Sequence, residues 1–577
     1  MNQTKPLMIL KKYRSILIAA VIVEAVSFLV SLTDSIIAGS IIGSDAFAAI
    51  GLMTPFFSIA TFFAAVINSG TVLYYSDETG AFHKQRANEY FSQGVVMAVA
   101  TGLIFTVLLL LLKKVIIGVL DVPEEMYQYL TDYYDIIAFY FLFVPISCVL
   151  DNIVVADGGE RLSAVSNVIQ IVGNVILSLF LSQSMGVKGI AAATVTCKLI
   201  FVIIICFWFL NKKCNLRFVR GMHFKDCVRM CRRGVVRALT FAMSAVMTFI
   251  LNAYVLMYFD EDILSVLIVA EKIIDLSTLF LGLAMALQPM IGTLKGERNT
   301  KAEKMLLRRA SNDMMLAGVA ISLVLVQNAK RVVWVFGIRE ELLVKEAVFA
   351  VYITSATLIF TALLVFFFIY FFLEGRNKLS LFTCFFKDFA TPLGLAVFLT
   401  VLLKTPEALW YGISGAAILS LILCMIVILI RYGKDRFPFL LSKDSDDNTY
   451  IYAFELNEKN AADLSVTVMD ILAQRGFTNR LQVKVGGCIE DMLIMIQEKN
   501  EGSKNPILVE CNLIIDGEEV RMILRDSGVI FDITDEDARP GSFRQYIVAN
   551  LITAIEIKTY LVTTGYNRNV FVFAEPK

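Results

Sequence analysis

Histidine is almost missing from this chain. His83 and His223 are the only two in 577 residues, both in polar stretches, so no set of imidazoles is available for a metal centre or a catalytic triad. The ten cysteines include no C-x-x-C pair, and Cys148, Cys206 and Cys424 sit inside apolar runs. They read as small hydrophobes or reduced thiols. Net charge is lacking too: 52 basic residues meet 52 acidic ones, which removes global electrostatic support for a nucleic-acid partner. What fills the chain is apolar. Hydrophobic residues make up 57% and the mean hydropathy is +0.70, against about 45–50% apolar in soluble domains. The sequence is that of a membrane protein.

The run from Ser15 to Ile42 is too long for a signal-peptide core and reads as an uncleaved helix. Eleven further segments of spanning length follow, at 46–75, 91–113, 131–156, 162–182, 189–210, 235–259, 263–292, 311–334, 346–373, 383–403 and 411–431. Lys and Arg concentrate in alternate loops, which places both ends of the chain in the cytoplasm of a multi-pass plasma-membrane protein. The longest polar break, Asn211–Arg237, holds nine Lys or Arg and one acidic residue, Asp226. Its basic residues hold it inside. Its Leu216, Phe218, Val219, Met222 and Phe224 also suit an amphipathic helix on anionic lipid. Short strings recur on either side of this break. Gly158–Ser163 and Gly375–Ser380 both fit G-x-x-R/K-L-S, Gly186-Val-Lys-Gly189 parallels Gly412-Ile-Ser-Gly415, and Gly80 and Gly296 each lead a short basic stretch. Matches in the same order indicate a tandem repeat, most common among transporters with a site between the halves.

The expected architecture is therefore α-helical. Two pseudo-symmetric six-helix bundles, 1–210 and 235–432, flank a basic linker at 211–234. Pro438 and the string SKDSDDN belong to a second linker, 433–448, and an α/β sandwich domain follows at 449–577. In that tail a strand is expected at 450–456, helices at 458–474 and 481–499, and a hairpin around Asp516-Gly517. A third helix at 543–555 and strands at 557–564 and 570–574 complete it.

A charge inside a membrane helix costs about 2.5–3.5 kcal/mol on insertion scales, which makes each one a functional candidate. Those present are Glu24 and Asp34 in the first segment, Asp151 in the fourth, Glu271, Lys272 and Asp275 in the eighth, and Lys387 and Asp388 near an interface in the eleventh. Glu271 and Asp275 share a helix face. Pro55, Pro145, Pro289 and Pro392 are expected to kink their helices. The string SLTDSIIAGSIIGSDAFAAIGLMTPF resembles the first-helix signature of multidrug and toxic compound extrusion (MATE) transporters, and NVIQIVGNVILSLFLSQSMGVKGIAAATV resembles their fifth and sixth helices. The resemblance covers residues 10–432. It implies a V-shaped pair of bundles exporting small organic, often cationic, compounds against H⁺ or Na⁺. It also implies that Asp34 is the ion-coupling aspartate, with Asn174 and Thr194 beside it. The family pattern has an acid one turn after Asn174, where this chain has Ser178.

In the tail, the string from Ile523 through Asp526, Gly528 and Phe531 resembles the D-x-G-x-x-F box of histidine-kinase-like ATPase domains of the anti-sigma-factor serine-kinase type. That resemblance implies Asp526 on an adenine amino group, with Gly528 admitting the base. The helix acid, Glu490 or Asp491, is followed by Ile494 or Met495 where the pattern has a Mg²⁺-binding asparagine, and hard cations want oxygen ligands. The glycine lid is reduced to Gly541-Ser-Phe-Arg544. A degenerate domain follows, with ATP held weakly and no required cofactor. The expected function is an exporter, not an enzyme, carrying a regulatory tail that contacts another cytoplasmic protein or the inner loops. A membrane-anchored signalling protein without turnover and a lipid-linked saccharide flippase are the alternatives.

Overall fold

The computed structural model describes residues 7–37, 42, 50, 53–81, 83–119, 124–212, 214–221, 223–259, 261–335, 341–434, 437–441, 448–502, 505–529, 556–561 and 566–574. Apolar runs become helices because lipid offers a peptide group no partner outside its own helix. The first half runs through α1 (Leu7–Ile37), α2 (Thr54–Gly80), α3 (Lys84–Val119), α4 (Glu124–Ile137), α5 (Tyr140–Ala156), α6 (Glu160–Met185) and α7 (Val187–Cys206). The second half begins with α8 (Phe224–Tyr258), then α9 (Glu261–Asp275), α10 (Ser277–Met285) and α11 (Gln288–Gly296). It continues through α12 (Thr300–Gln327), α13 (Ala329–Val335), α14 (Glu341–Ala356) and α15 (Leu358–Leu373). It ends with α16 (Asn377–Phe385), a π-turn at Phe386–Ala390, α17 (Thr391–Leu403) and α18 (Glu407–Tyr432). Among the described residues, eight stretches are long and apolar enough to cross a membrane, and ten if each of two bent helix pairs is one span.

Those bent pairs, α4–α5 and α14–α15, both turn by 44°. Each leads into one of the repeated G-x-x-R/K-L-S turns. Gly158 (φ +100°) and Gly375 (φ +75°) take a left-handed backbone that a side chain resists, so both copies keep glycine at the same point. The third repeated pair lies at one of the places where the halves touch. A Cβ on Gly80, the last residue of α2, would lie 2.4 Å from the Gly292 carbonyl oxygen. One on Gly296, the last of α11, would lie 2.0 Å from the Gly80 carbonyl carbon. Backbone meets backbone there, an approach only small residues allow. On the outside, Leu103, Ile104, Val107 and Leu111 of α3 are exposed, as lipid-facing residues should be.

Three expectations need amending. The segment expected as one helix at 263–292 is broken into α9, α10 and α11, and that at 346–373 into α14 and α15. Pro55, Pro289 and Pro392 stand in the first turns of α2, α11 and α17, where a missing N–H costs nothing; only Pro145 is inside a helix. The basic break is not an amphipathic surface helix over 214–221. That stretch has no regular secondary structure, with Leu216 and Cys214 in the core beside Trp208, and α8 already starts at Phe224. Side chains take the amides a helix would use: Asp157 accepts from the Asn215 amide (3.0 Å) and from Trp208 Nε1 (2.8 Å), while Asn88 accepts from the Arg217 amide (2.8 Å). Met222 lies outside the described residues.

The tail holds β1 (Thr449–Glu455), α19 (Glu458–Gln474), α20 (Asn479–Lys499), β2 (Leu508–Asp516), β3 (Glu519–Asp526), β4 (Glu556–Leu561) and β5 (Asn567–Ala574). Its antiparallel sheet is ordered β1-β2-β3-β5-β4. Alternation divides the strands into two faces. Cys511, Leu513, Met522, Leu524, Phe571 and Phe573 pack with α19 and α20. The opposite face carries Glu510, Asn512, Arg525 and Arg568, and it too is buried, because it lies on the membrane body. The expected helix at 543–555 lies outside the described residues.

Candidate functional site

Helix α6 reverses the usual arrangement. Its buried residues are Glu160, Ser163, Ser166, Asn167, Ile171, Asn174, Ser178 and Ser182. Its exposed residues include Val168, Val172, Ile176 and Phe180. Spacing of three, four or seven puts the polar set on one stripe facing the protein interior. Inside a membrane such a face is retained only where the protein supplies partners or a ligand. At its upper part Asn174 Nδ2 donates to Thr194 Oγ1 of α7 at 3.0 Å, and Thr194 Oγ1 donates to the Ile190 carbonyl at 3.1 Å. Asn174 Oδ1 and Ser178 Oγ, one turn apart, are buried and have no hydrogen-bond partner among the described residues. An acceptor left so costs about 1–3 kcal/mol, and the two residues, four apart, share one helix face. Helix α1 packs along α6 and carries Asp34, whose side chain lies outside the described residues.

Lower on the same stripe, Ser163 Oγ and Asn167 Nδ2 (3.2 Å) donate to the Asp151 carboxylate of α5. At the tail-side end Glu160 pairs with Lys12 Nζ (2.7 Å) and accepts from Ser15 Oγ (3.0 Å). Beside the stripe is a cavity of about 450 Å³. Asp151, Glu24, Asn68, Asn167 and Lys198 line it from the first half, and Thr278 and Gly282 of α10 from the second. Lys198 was missed by sequence reasoning. Its ammonium lies 5.2 Å from the centroid of the Phe201 ring, and a single Lys in an apolar run on α7 was the available signal.

Among the described side chains, Glu271, Lys387 and Asp388 do not line this cavity. Glu271 is half-buried on α9, and Asp275, that helix's last residue, has a side chain outside the described residues. Lys387 and Asp388 are not at an interface. They sit in the π-turn inside the Asn377–Leu403 span, paired with each other and joined by Thr240 Oγ1 of α8. Pro392, two residues after the π-turn, was its local sign.

In the tail, Asp526 Oδ1 accepts from the Gly528 amide (2.9 Å) and Asn567 Nδ2 (2.8 Å), while its Oδ2 is buried without a partner among the described residues. Burial pushes this carboxyl up to about 6. A Cβ on Gly528 would lie 2.5 Å from Asn500 Nδ2, so the close approach this glycine allows is that of the Asn500 side chain. A cleft of about 960 Å³ adjoins it, lined by Lys11, Lys212, Asn500, Gly528 and Tyr566. Glu490 is half-buried on α20, and Phe531 and Gly541 lie outside the described residues. Among the described residues no group of three His, Cys, Asp or Glu is placed to hold a metal.

The MatE family model matches residues 19–180, the stretch that carries α6 to Phe180. No curated protein sequence matches the chain. Among solved structures, the fold is that of an outward-facing multidrug resistance MATE family transporter of the MOP superfamily. The TM-score is 0.68 at 19% identity, over 75% of this chain and 98% of that one. A MOP superfamily transporter from Pyrococcus furiosus, described as having a binding pocket of reverse polarity, matches with a TM-score of 0.67 at 20% identity, over 75% and 98%. A MATE in the bent conformation gives 0.66 at 20%, over 74% and 98%. The membrane body therefore has the fold of the MATE transporters.

Proposed function

We propose that this protein is a secondary active exporter of small organic compounds, driven by H⁺ or Na⁺, with twelve membrane helices in bundles 1–210 and 235–432 and a cytoplasmic regulatory tail at 449–577. The observation that carries this reading is the buried polar stripe of α6, which joins unpartnered oxygens at Asn174 and Ser178 to a charged cavity in a transporter fold. In this reading Asp34 supplies the carboxylate beside Asn174, Ser178 and Thr194, and Asp151 and Glu24 receive a cationic substrate. Lys and Arg in the tail-side loops support placing both ends inside. Lys198 is the one observation that favours the flippase alternative, and two carboxylates outnumber it in the same cavity. The tail binds ATP weakly, because Ile494 and Met495 offer no oxygen to Mg²⁺. The test is flux in proteoliposomes under imposed pH or Na⁺ gradients. Ion-dependent efflux of an organic cation is expected; absence of flux under either gradient, from protein that still binds the compound, would refute export.

A further inference from the structure

The tail reaches both halves of the membrane body at one of the places where they touch. Arg525 of β3 donates through Nη2 to both carboxylate oxygens of Glu297, which caps α11, and through Nη1 to Glu510 of β2 at 3.0 Å. Arg568 of β5 pairs with the same Glu297 (2.8 Å) and donates to the carbonyl of Gly80, the end of α2, at 2.8 Å. Glu510 in turn accepts from the Met8 amide of α1 at 3.0 Å. Register places Glu510, Arg525 and Arg568 opposite one another on three adjacent strands, so one sheet face presents two cations and an anion to Glu297. All four charged side chains are fully buried. Two carboxylates balance two guanidiniums, and buried charges hold together only when complete.

From this we infer that the tail is a clamp: docked, it locks the tail-side ends of α2 and α11 together, and it must release before the halves can part there. Arg568 makes the case by itself. It bonds to Gly80 in the first half and to Glu297 in the second, across the glycine–glycine contact, and no rigid sheet can keep both once those ends separate. The arm from Glu510 to Met8 spans the same divide, since Arg525 ties that strand to Glu297. Rim contacts follow the tail's edge: Lys301 Nζ to the Thr449 carbonyl (2.8 Å) and Arg298 to Asp516 (3.4 Å). A partner or ligand that binds the undocked tail would shift the equilibrium by its preference for that state. The inference rests on the transport reading only in assigning this parting to a transport cycle.

Distance measurement on the full chain decides it. Spin labels carried by non-canonical residues avoid the ten native cysteines. A pair at Gln85 and Arg308 reports the gate, and a pair at Gln85 and Gln474 reports docking. Wild type should give one short gate distance. Glu297→Gln and Arg568→Gln should each lose docking and raise a longer gate population at least tenfold, with little further change in the double variant, because both act through one network. Docking that survives both variants, or a gate unmoved once docking is lost, would overturn the clamp. If the variants fail to fold, a protease site placed after Ser442 lets the tail be cut from folded wild type, and the same gate readout applies. A gate that opens without flux under any gradient would sink the transport reading and leave the clamp standing; flux from undocked protein with an unmoved gate would do the reverse.

Discussion

The inner face of α6 and the body-facing side of the tail sheet are both polar and both buried, yet they are built on opposite plans. On α6 the groups are mostly neutral, and Asn174 Oδ1 and Ser178 Oγ have no partner among the described residues. In the tail interface Glu297 is shared by two arginines, Glu510 takes one of them together with the Met8 amide, and the charges cancel. The first set has capacity left for a visitor. The second pairs all four of its buried charges, although Arg525 Nε and Asn512 Oδ1 have no hydrogen-bond partner among the described residues, so it costs much to break. Burial alone does not separate the two faces; what differs is that the tail interface rests on paired charges and the α6 stripe largely on neutral groups.

The sharpest way to break this contrast is to remove the charge proposed for the α6 site. Asp34→Asn should reduce ion-coupled export to background while the protein remains at wild-type level and folded; unchanged export in proteoliposomes would remove Asp34 from the mechanism. Next in size is Glu297→Ala, which leaves two buried guanidiniums facing each other. Breaking a buried pair costs about 3–5 kcal/mol, so the tail should undock and the linker at 433–448 should be cut faster than in wild type in limited proteolysis.

A smaller effect is expected at Asp526, whose carboxyl is pushed up to about 6 by burial. The folded tail then holds a proton that the unfolded chain releases nearer the ordinary value. Its stability is therefore greatest below about pH 4 and falls as pH rises through 6, by about 3 kcal/mol at 1.36 kcal/mol per unit. Asp526→Asn, which keeps the acceptor for Gly528 and Asn567, should flatten that slope. Hydrogen exchange of β3 amides in the full chain at pH 5 and pH 8 measures it. Smallest of all is Ser178→Asp, which places an acid one turn after Asn174. It should tighten the apparent affinity for the coupling cation about tenfold, or about 1.4 kcal/mol, read from the Na⁺ or H⁺ dependence of flux.

Much of this was legible in the sequence where the signal is local. Helix α19 was expected at 458–474 and spans Glu458–Gln474, and the Asp516-Gly517 turn joins β2 to β3. Apolar length marked the membrane helices, and the glycine repeats marked both the turns and one meeting point of the halves. The breaks after Asp275 and Ala356 were not legible, because no glycine or proline marks them and the bends come from packing. The polar stripe of α6 was readable in principle from Ser163, Asn167, Asn174, Ser178 and Ser182, but only three positions drew notice, two of them through the family resemblance. Arg525 and Glu297, separated by 228 residues, carry no local sign of each other. The strand alternation around Arg525 reads the same whether its polar side meets water or another domain.

The bond from Met8 to Glu510 joins residues 502 positions apart. The first turn of a helix has amides that no residue of that helix can satisfy, and for α1 one of those amides waits for β2. A ribosome delivering this chain places α1 in the bilayer long before it translates Glu510. The membrane body therefore passes through its own synthesis with an unfinished helix end and an unlocked waist, and acquires its final fastening only when the tail has emerged and folded.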